Sequence, residues 1–125
     1  MGYEQKFYFV EIHENMCGIG ECENKNWAEV IAMFDYCKDS RLDDFVRKVG
    51  KDSNCYIYAD DGNTEVCVDD YGDPLMLIDV DYMLGYLAGN KDDEYRRYGL
   101  FYDMVKSFSE NKSKFRNLAI LRYGH

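Results

Sequence analysis

Between Asp52 and Asn90 the chain contains no lysine and no arginine, and in its whole length it has only one proline, Pro74, and two histidines, His13 and His125. Each shortage excludes something. One proline among 125 residues leaves no proline-rich linker, and with no repeat or low-complexity tract the sequence reads as a single domain, 1–125. No apolar run approaches the roughly 18–20 residues that a membrane span requires. The amino terminus, MGYEQKFYFV, carries no basic leader ahead of an apolar run. Gly2 is followed at position 6 by Lys6 where the myristoylation pattern needs Ser or Thr. A cytoplasmic protein without membrane contact is the expectation.

Five cysteines, Cys17, Cys22, Cys37, Cys55 and Cys67, form an odd and irregularly spaced set, unlike the dense framework of a secreted mini-protein. A chain of this length buries about two-thirds of its unfolded surface and needs no disulfide or metal staple. His13, Cys17, Cys22 and Cys37 offer donors that zinc prefers, but the paired Cys-x-x-Cys knuckles of structural zinc sites are missing. Gly18 and Gly20 sit where a phosphate-cradling loop would, yet the third glycine and the lysine are absent, and Glu21 and Glu23 would repel an anion. DDGNTE and DVD bring carboxylates together without the twelve-residue calcium loop. His125, at the terminus, and His13, flanked by Glu11 and Glu14, suggest no nucleophile and base pair. The sequence therefore supports no catalytic residue, no cofactor and no assigned metal site.

What the chain does have is 46% hydrophobic and 16% aromatic residues, enough to fold despite a net charge of −9. YEQKFYFVEIH, residues 3–13, alternates Phe7 and Phe9 against Tyr8, Val10 and Ile12, a strand apolar on both faces and therefore interior to a sheet. Trp27, Val30, Ile31 and Phe34 fall at helical spacing, with Asn24 or Asn26 as a cap. Ser40 begins a second helix with Leu42, Phe45, Val46 and Val49 inward, ending at Gly50. CYIYADDGNTEVCVDD reads as a hairpin about Asp61-Gly62, with Ile57 opposite Val66, Cys55 opposite Val68 and Ala59 opposite Thr64. Cys55 and Cys67 then point to opposite faces, which forbids a disulfide between them.

PLMLIDV fits either a strand or the approach to a helix. Asp79 or Asp81 caps a helix carrying Met83, Leu84 and Leu87, and Tyr98, Phe101, Val105 and Phe108 mark another. KFRNLAILRY closes the chain as a strand. The fold class expected is α+β, with an antiparallel or mixed sheet of about four to five strands and helices mainly on one face.

The charge is unevenly placed. Residues 1–51 hold seven basic and ten acidic side chains, 52–90 hold none and nine, and 91–125 hold eight and five. So negative a protein is not expected to bind nucleic acid directly, because phosphate contacts depend on Lys and Arg. Asp in turns and at sheet edges explains part of the pattern. The sharper expectation is a partner-binding surface in which Asp60, Asp61, Glu65, Asp69, Asp70 and Asp73 are interleaved with Tyr56, Tyr58 and Tyr71. Alternate strand residues stand about 6–7 Å apart, close to the spacing of successive phosphates. Such a surface suits a basic groove on a nucleic-acid-binding protein. In composition, though in no motif, the chain is analogous to phage-encoded inhibitors of bacterial restriction and CRISPR systems, which makes a host defence effector the expected partner. The basic tail, Lys112, Lys114, Arg116 and Arg122, could form a patch of its own or neutralise the acidic middle, within one copy or across a homodimer. A small ligand- or metal-binding protein centred on His13 and the cysteines, or a structural subunit, are the other classes in view.

Overall fold

A computed structural model describes residues 4–37, 39–59, 61–69, 71–92 and 97–124. The alternation that opens the chain becomes β1, Glu4–Cys17, which lies inside a sheet between β2, Asn26–Cys37, and β7, Leu118–Tyr123, antiparallel to both. The remaining strands are short: β3, Lys51–Asp52; β4, Cys55–Tyr58; β5, Glu65–Val66; and β6, Met76–Ile78. Their order is β3-β6-β7-β1-β2-β4-β5, and among the described residues β2 with β4 is the one parallel pair. The sheet is mixed and curled into a half-barrel.

Three helices, α1, Ser40–Val49, α2, Val80–Asn90, and α3, Tyr98–Glu110, bury their apolar stripes against one face. Leu42 and Val46 come from α1, Met83 and Leu87 from α2, and Tyr98, Phe101, Val105 and Phe108 from α3, meeting Phe7, Phe9, Phe34, Ile78 and Ile120 of the sheet. Phe101 is the hub. Its ring stacks on Phe34 at 4.8 Å and tilts against Phe7 at 4.8 Å. The opposite, inner face of the curl holds a second core of Val10, Ala28, Cys55, Ile57, Leu75, Ala119 and Leu121. This division follows from strand geometry, since successive side chains leave opposite faces.

Local chemistry fixes the helix ends. Asp39 caps α1, its Oδ1 accepting from Arg41 N at 2.9 Å, one residue before the Ser40 expected to do so. Asp79 caps α2, accepting from Asp81 N at 2.8 Å. Asp39 also accepts from the buried Tyr98 hydroxyl at 2.8 Å, and Tyr98 meets the Tyr86 hydroxyl at 3.1 Å, which ties all three helices together. Burial, and then those two hydrogen bonds, push the Tyr98 hydroxyl far above the ordinary tyrosine range. Arg122, read from the sequence as part of a basic tail, is instead buried on β7 and paired with Asp43 of α1.

The sheet has seven strands where four to five were expected. One of the extra strands, β3, is two residues long and carries no readable pattern. The larger correction is residues 26–37, which form β2 and not a helix. The reason is a bulge: Phe9 pairs with Ala32 and Val10 with Val30, so Ile31 is an extra residue. One inserted residue breaks the period of two and imitates helical spacing at Trp27, Val30, Ile31 and Phe34. Val30 and Ile31, expected to point inward, are more than a third exposed.

The bulge generates a stability test. Deleting Ile31 would restore uninterrupted pairing and leave Val10 opposite Val30 and Glu11 opposite Glu29. We expect that deletion to cost about 0.5–3 kcal/mol, because it straightens the bulged strand without exchanging either face. Ile31→Ala, at a half-exposed position, should stay within about 1 kcal/mol. Urea unfolding of the two variants against wild type makes the comparison.

Candidate functional site

The acidic segment folds at the β4–β5 edge of the sheet. β4 runs beside β2 with Asn26 opposite Cys55 and Trp27 opposite Tyr56, and Asn26 N donates to Asn54 O at 2.7 Å. In the hairpin Ile57 pairs with Val66 and Tyr58 with Glu65, while Ala59 N donates to Thr64 O at 2.8 Å. The hydrogen-bonded turn lies one residue early, from Ala59 to Gly62, because Gly62 N donates to Ala59 O at 2.8 Å. Beyond Val66 the strands part. Val68 bridges Pro74, so it does not pair with Cys55.

Each described carboxylate of this edge has a definite position. Asp61 is exposed and accepts from Asn63 N and Thr64 N, both at 2.8 Å, and from Thr64 Oγ1 at 2.6 Å. The Thr64 hydroxyl first, and then the two backbone donors, hold its carboxyl below the usual value of 3.8. Glu65 reaches across to accept from Ile19 N at 2.8 Å. Asp69 is buried and accepts from Tyr71 N at 2.8 Å and Asp73 N at 3.1 Å, which folds the 69–73 loop around it. Asp73 is exposed. Asp60 and Asp70 lie outside the described residues.

The three tyrosines separate in the same way. Tyr71 stands at the loop tip, 66% exposed, and Tyr58 is 39% exposed on β4. Tyr56 is 3% exposed and belongs to a small cluster with Cys22 and Cys67. Burial, and then a hydrogen bond with Tyr58, raise its hydroxyl to about 12. Tyr58 also meets Trp27 edge-on at 6.2 Å, and Trp27 stacks on His13 at 4.7 Å, so an aromatic row crosses β4, β2 and β1.

Asp79 and Asp81 belong to a different place. Both line a groove of about 640 Å³ beside the start of α2, with Glu14, Lys51, Tyr82 and Leu118. β5 ends the strand order on one side and β6 is next to last on the other, so the acidic run divides between the hairpin edge and this groove. Among the described residues, no Lys or Arg forms an ion pair with Asp61, Glu65, Asp73, Asp79 or Asp81. Lys112, Lys114 and Arg116 are exposed beyond α3, and Lys112 lines a pocket with Asp79 and Asp81 without forming an ion pair.

Among the described residues, no cysteine joins His13 in a group that could hold a metal ion. Cys37 pairs with Glu4 at one end of the β1–β2 ladder and Cys17 with Asn26 at the other. The eleven steps of strand between them span more than about 30 Å. Cys22, Cys55 and Cys67 are free and buried, and burial followed by a hydrogen bond to Cys67 pushes the Cys22 thiol up to about 12. His13 instead faces two carboxylates, Glu11 and Glu29. Glu11-x-His13 on a strand is the signal that places the first acid beside it; the second depends on the bulged register with β2.

Gly18 is required by close approach. A Cβ there would lie 2.6 Å from Cys22 Cβ, 2.7 Å from Cys22 O and 2.7 Å from Glu65 Oε1. The chain's own carboxylate thus fills the space where a Gly-rich loop would cradle an anion. No protein-family model, curated protein or solved structure matches the chain. Among the described residues, no helix is long and apolar enough to cross a membrane.

Two outcomes follow from this geometry. Gly18→Ala should cost about 1–3 kcal/mol in denaturant unfolding, because backbone as well as side-chain atoms must move. The depressed Asp61 carboxyl supports the hairpin turn at pH values above its ordinary 3.8, and that support is lost as pH falls through its lower folded value. Amide exchange at Asn63 and Thr64 should therefore lose protection on acidification before the β1–β2 ladder does, as measured by NMR.

Proposed function

We propose that this chain is an acidic binding protein that occupies the cationic, nucleic-acid-binding surface of another protein and so inhibits it. The observation that carries the reading is the absence of compensation: nine acids and no cation in residues 52–90, with Asp61 and Asp73 exposed and without a Lys or Arg partner among the described residues. Tyr58 and Tyr71 add exposed aromatic area on the same edge, and tyrosine is enriched at interfaces because it contributes large area with few torsions to fix. Arginines of a basic groove can pair with the carboxylates and stack on these rings. A host defence effector that handles nucleic acid, met by a phage-encoded inhibitor, is the partner class this chemistry suits.

Asp69 serves the fold and is left unaltered in the test. Asp61→Asn retains the oxygen that accepts from Asn63 and Thr64 while removing the charge. Partner capture from a bacterial lysate at low and high salt, with identification by mass, comes first. Affinity should fall at least tenfold between about 50 and 500 mM salt, and Asp61→Asn with Asp73→Asn should weaken it about fivefold or more, mainly through slower association. Tyr71→Ala should weaken it independently. Binding that ignores both salt and the double substitution would overturn the proposal.

A further inference from the structure

The helix-bearing face of β1 and β2, where Phe9 and Ala32 lie opposite each other, continues as Glu11 opposite Glu29 and then His13 opposite Trp27. Two carboxylates directly across an antiparallel pair repel each other. Here they converge on one imidazole. His13 Nε2 lies 2.9 Å from Glu29 Oε1 and 3.3 Å from Glu11 Oε1, and one donor atom from each residue falls within 4.8 Å of the others. Among the described residues no Lys or Arg side chain forms an ion pair with either glutamate; Arg116 reaches Glu11 Oε2 through its backbone N–H at 2.7 Å.

We propose that Glu11, His13 and Glu29 form a binding site for a divalent transition-metal ion such as Zn²⁺, which clips β1 to β2. Imidazole and carboxylate bonds of about 2.0–2.2 Å put adjacent donors about 3.0 Å apart in an octahedral shell and about 3.4 Å apart in a tetrahedral one. The two nitrogen-to-oxygen separations already lie within a tenth of an ångström or so of that range. One nitrogen and two carboxylate oxygens suit zinc or a neighbouring first-row ion, whereas calcium and magnesium favour oxygen alone. Water completes the coordination.

The surroundings hold the donors in place. The Arg116 N–H fixes Glu11 through its second oxygen, an outer contact of the kind that orients metal ligands. Trp27 stacks on the imidazole with the rings 23° from parallel. Glu29 is 49% exposed and His13 32%, so an ion can enter without unfolding the chain. The competing occupant is a proton on His13, which would join the same two carboxylates with no metal bound.

Trp27 is the only tryptophan, and it touches His13, so its fluorescence reports on this site. The test titrates the full chain with Ni²⁺, read by tryptophan quenching, and with Zn²⁺, read by calorimetry. One-to-one Zn²⁺ binding is expected, with Ni²⁺ quenching reversed by excess Zn²⁺. Glu29→Gln, at a half-exposed position that leaves the fold intact, and His13→Gln should each weaken Zn²⁺ at least about tenfold. Zinc should raise the melting temperature of wild type more than that of Glu29→Gln. Absence of saturable binding below about 1 mM, a free energy near −4 kcal/mol, would overturn the site and leave the proton as the occupant. Binding unchanged in both variants would overturn it equally, placing the ion on thiols or other adventitious ligands.

Discussion

The long antiparallel ladder between β1 and β2 frames the molecule, and one extra residue within it, Ile31, decides what each face carries. On the Phe9 side of the bulge, Phe7 and Phe9 meet Phe34 and Ala32 beneath the helices. Past it, Ile12 meets Ala28 over the second core, while Glu11 meets Glu29 and His13 meets Trp27 on the other face. Were Ile31 paired with Val10 and not left as an extra residue, Glu29 would fall opposite Ile12, because a one-residue slip exchanges the faces of a strand. Both cores and the imidazole–carboxylate cluster therefore depend on the same irregularity.

The helices are held to this frame by aromatic packing and by one buried polar chain. Phe101 joins α3 to β1 and β2 through Phe7 and Phe34, and Phe45 stacks on Tyr86 at 4.3 Å to join α1 to α2. Such ring pairs contribute about 0.5–1.5 kcal/mol each beyond the area they bury. Asp39 links them to backbone geometry, since one carboxylate caps α1 and accepts the Tyr98 hydroxyl of α3. The buried Arg122–Asp43 pair fastens α1 to β7, with Arg47 adding a second contact to Asp43 at 3.1 Å. Removing one member would leave the other charge buried alone, a large penalty even where the intact pair adds little.

Much of this was legible wherever pattern and packing agree. The stripes Leu42–Val46, Met83–Leu87 and Tyr98–Phe108 gave three helices on the right residues, and the hairpin pairing of Ile57 with Val66 follows from its turn. β2 was misread because a bulge is invisible to a periodicity argument: Val30 and Ile31 supply apolar spacing without being buried. β3, two residues long, is defined by its pairing with β6 and by no pattern of its own. Of the candidate surface, Tyr58, Tyr71, Asp61 and Asp73 are exposed, whereas Tyr56 and Asp69 are drawn inward by contacts with Cys67 and with the 69–73 loop. Those contacts are tertiary or require a folded loop, and composition carries no trace of them.

Turn-building and charge display are sometimes set against each other as explanations of an acidic run, but here they reinforce one another. A carboxylate that accepts backbone N–H bonds is favoured in its charged form, so the local role of Asp61 keeps it negative to lower pH. The turn also fixes where that charge points, so less side-chain freedom is lost when a cation arrives. Had the same acids been free on long, mobile side chains, each ion pair with a partner would forfeit part of its energy to ordering. For a short aspartate locked into its turn, as Asp61 is, that ordering cost is largely met when the chain folds.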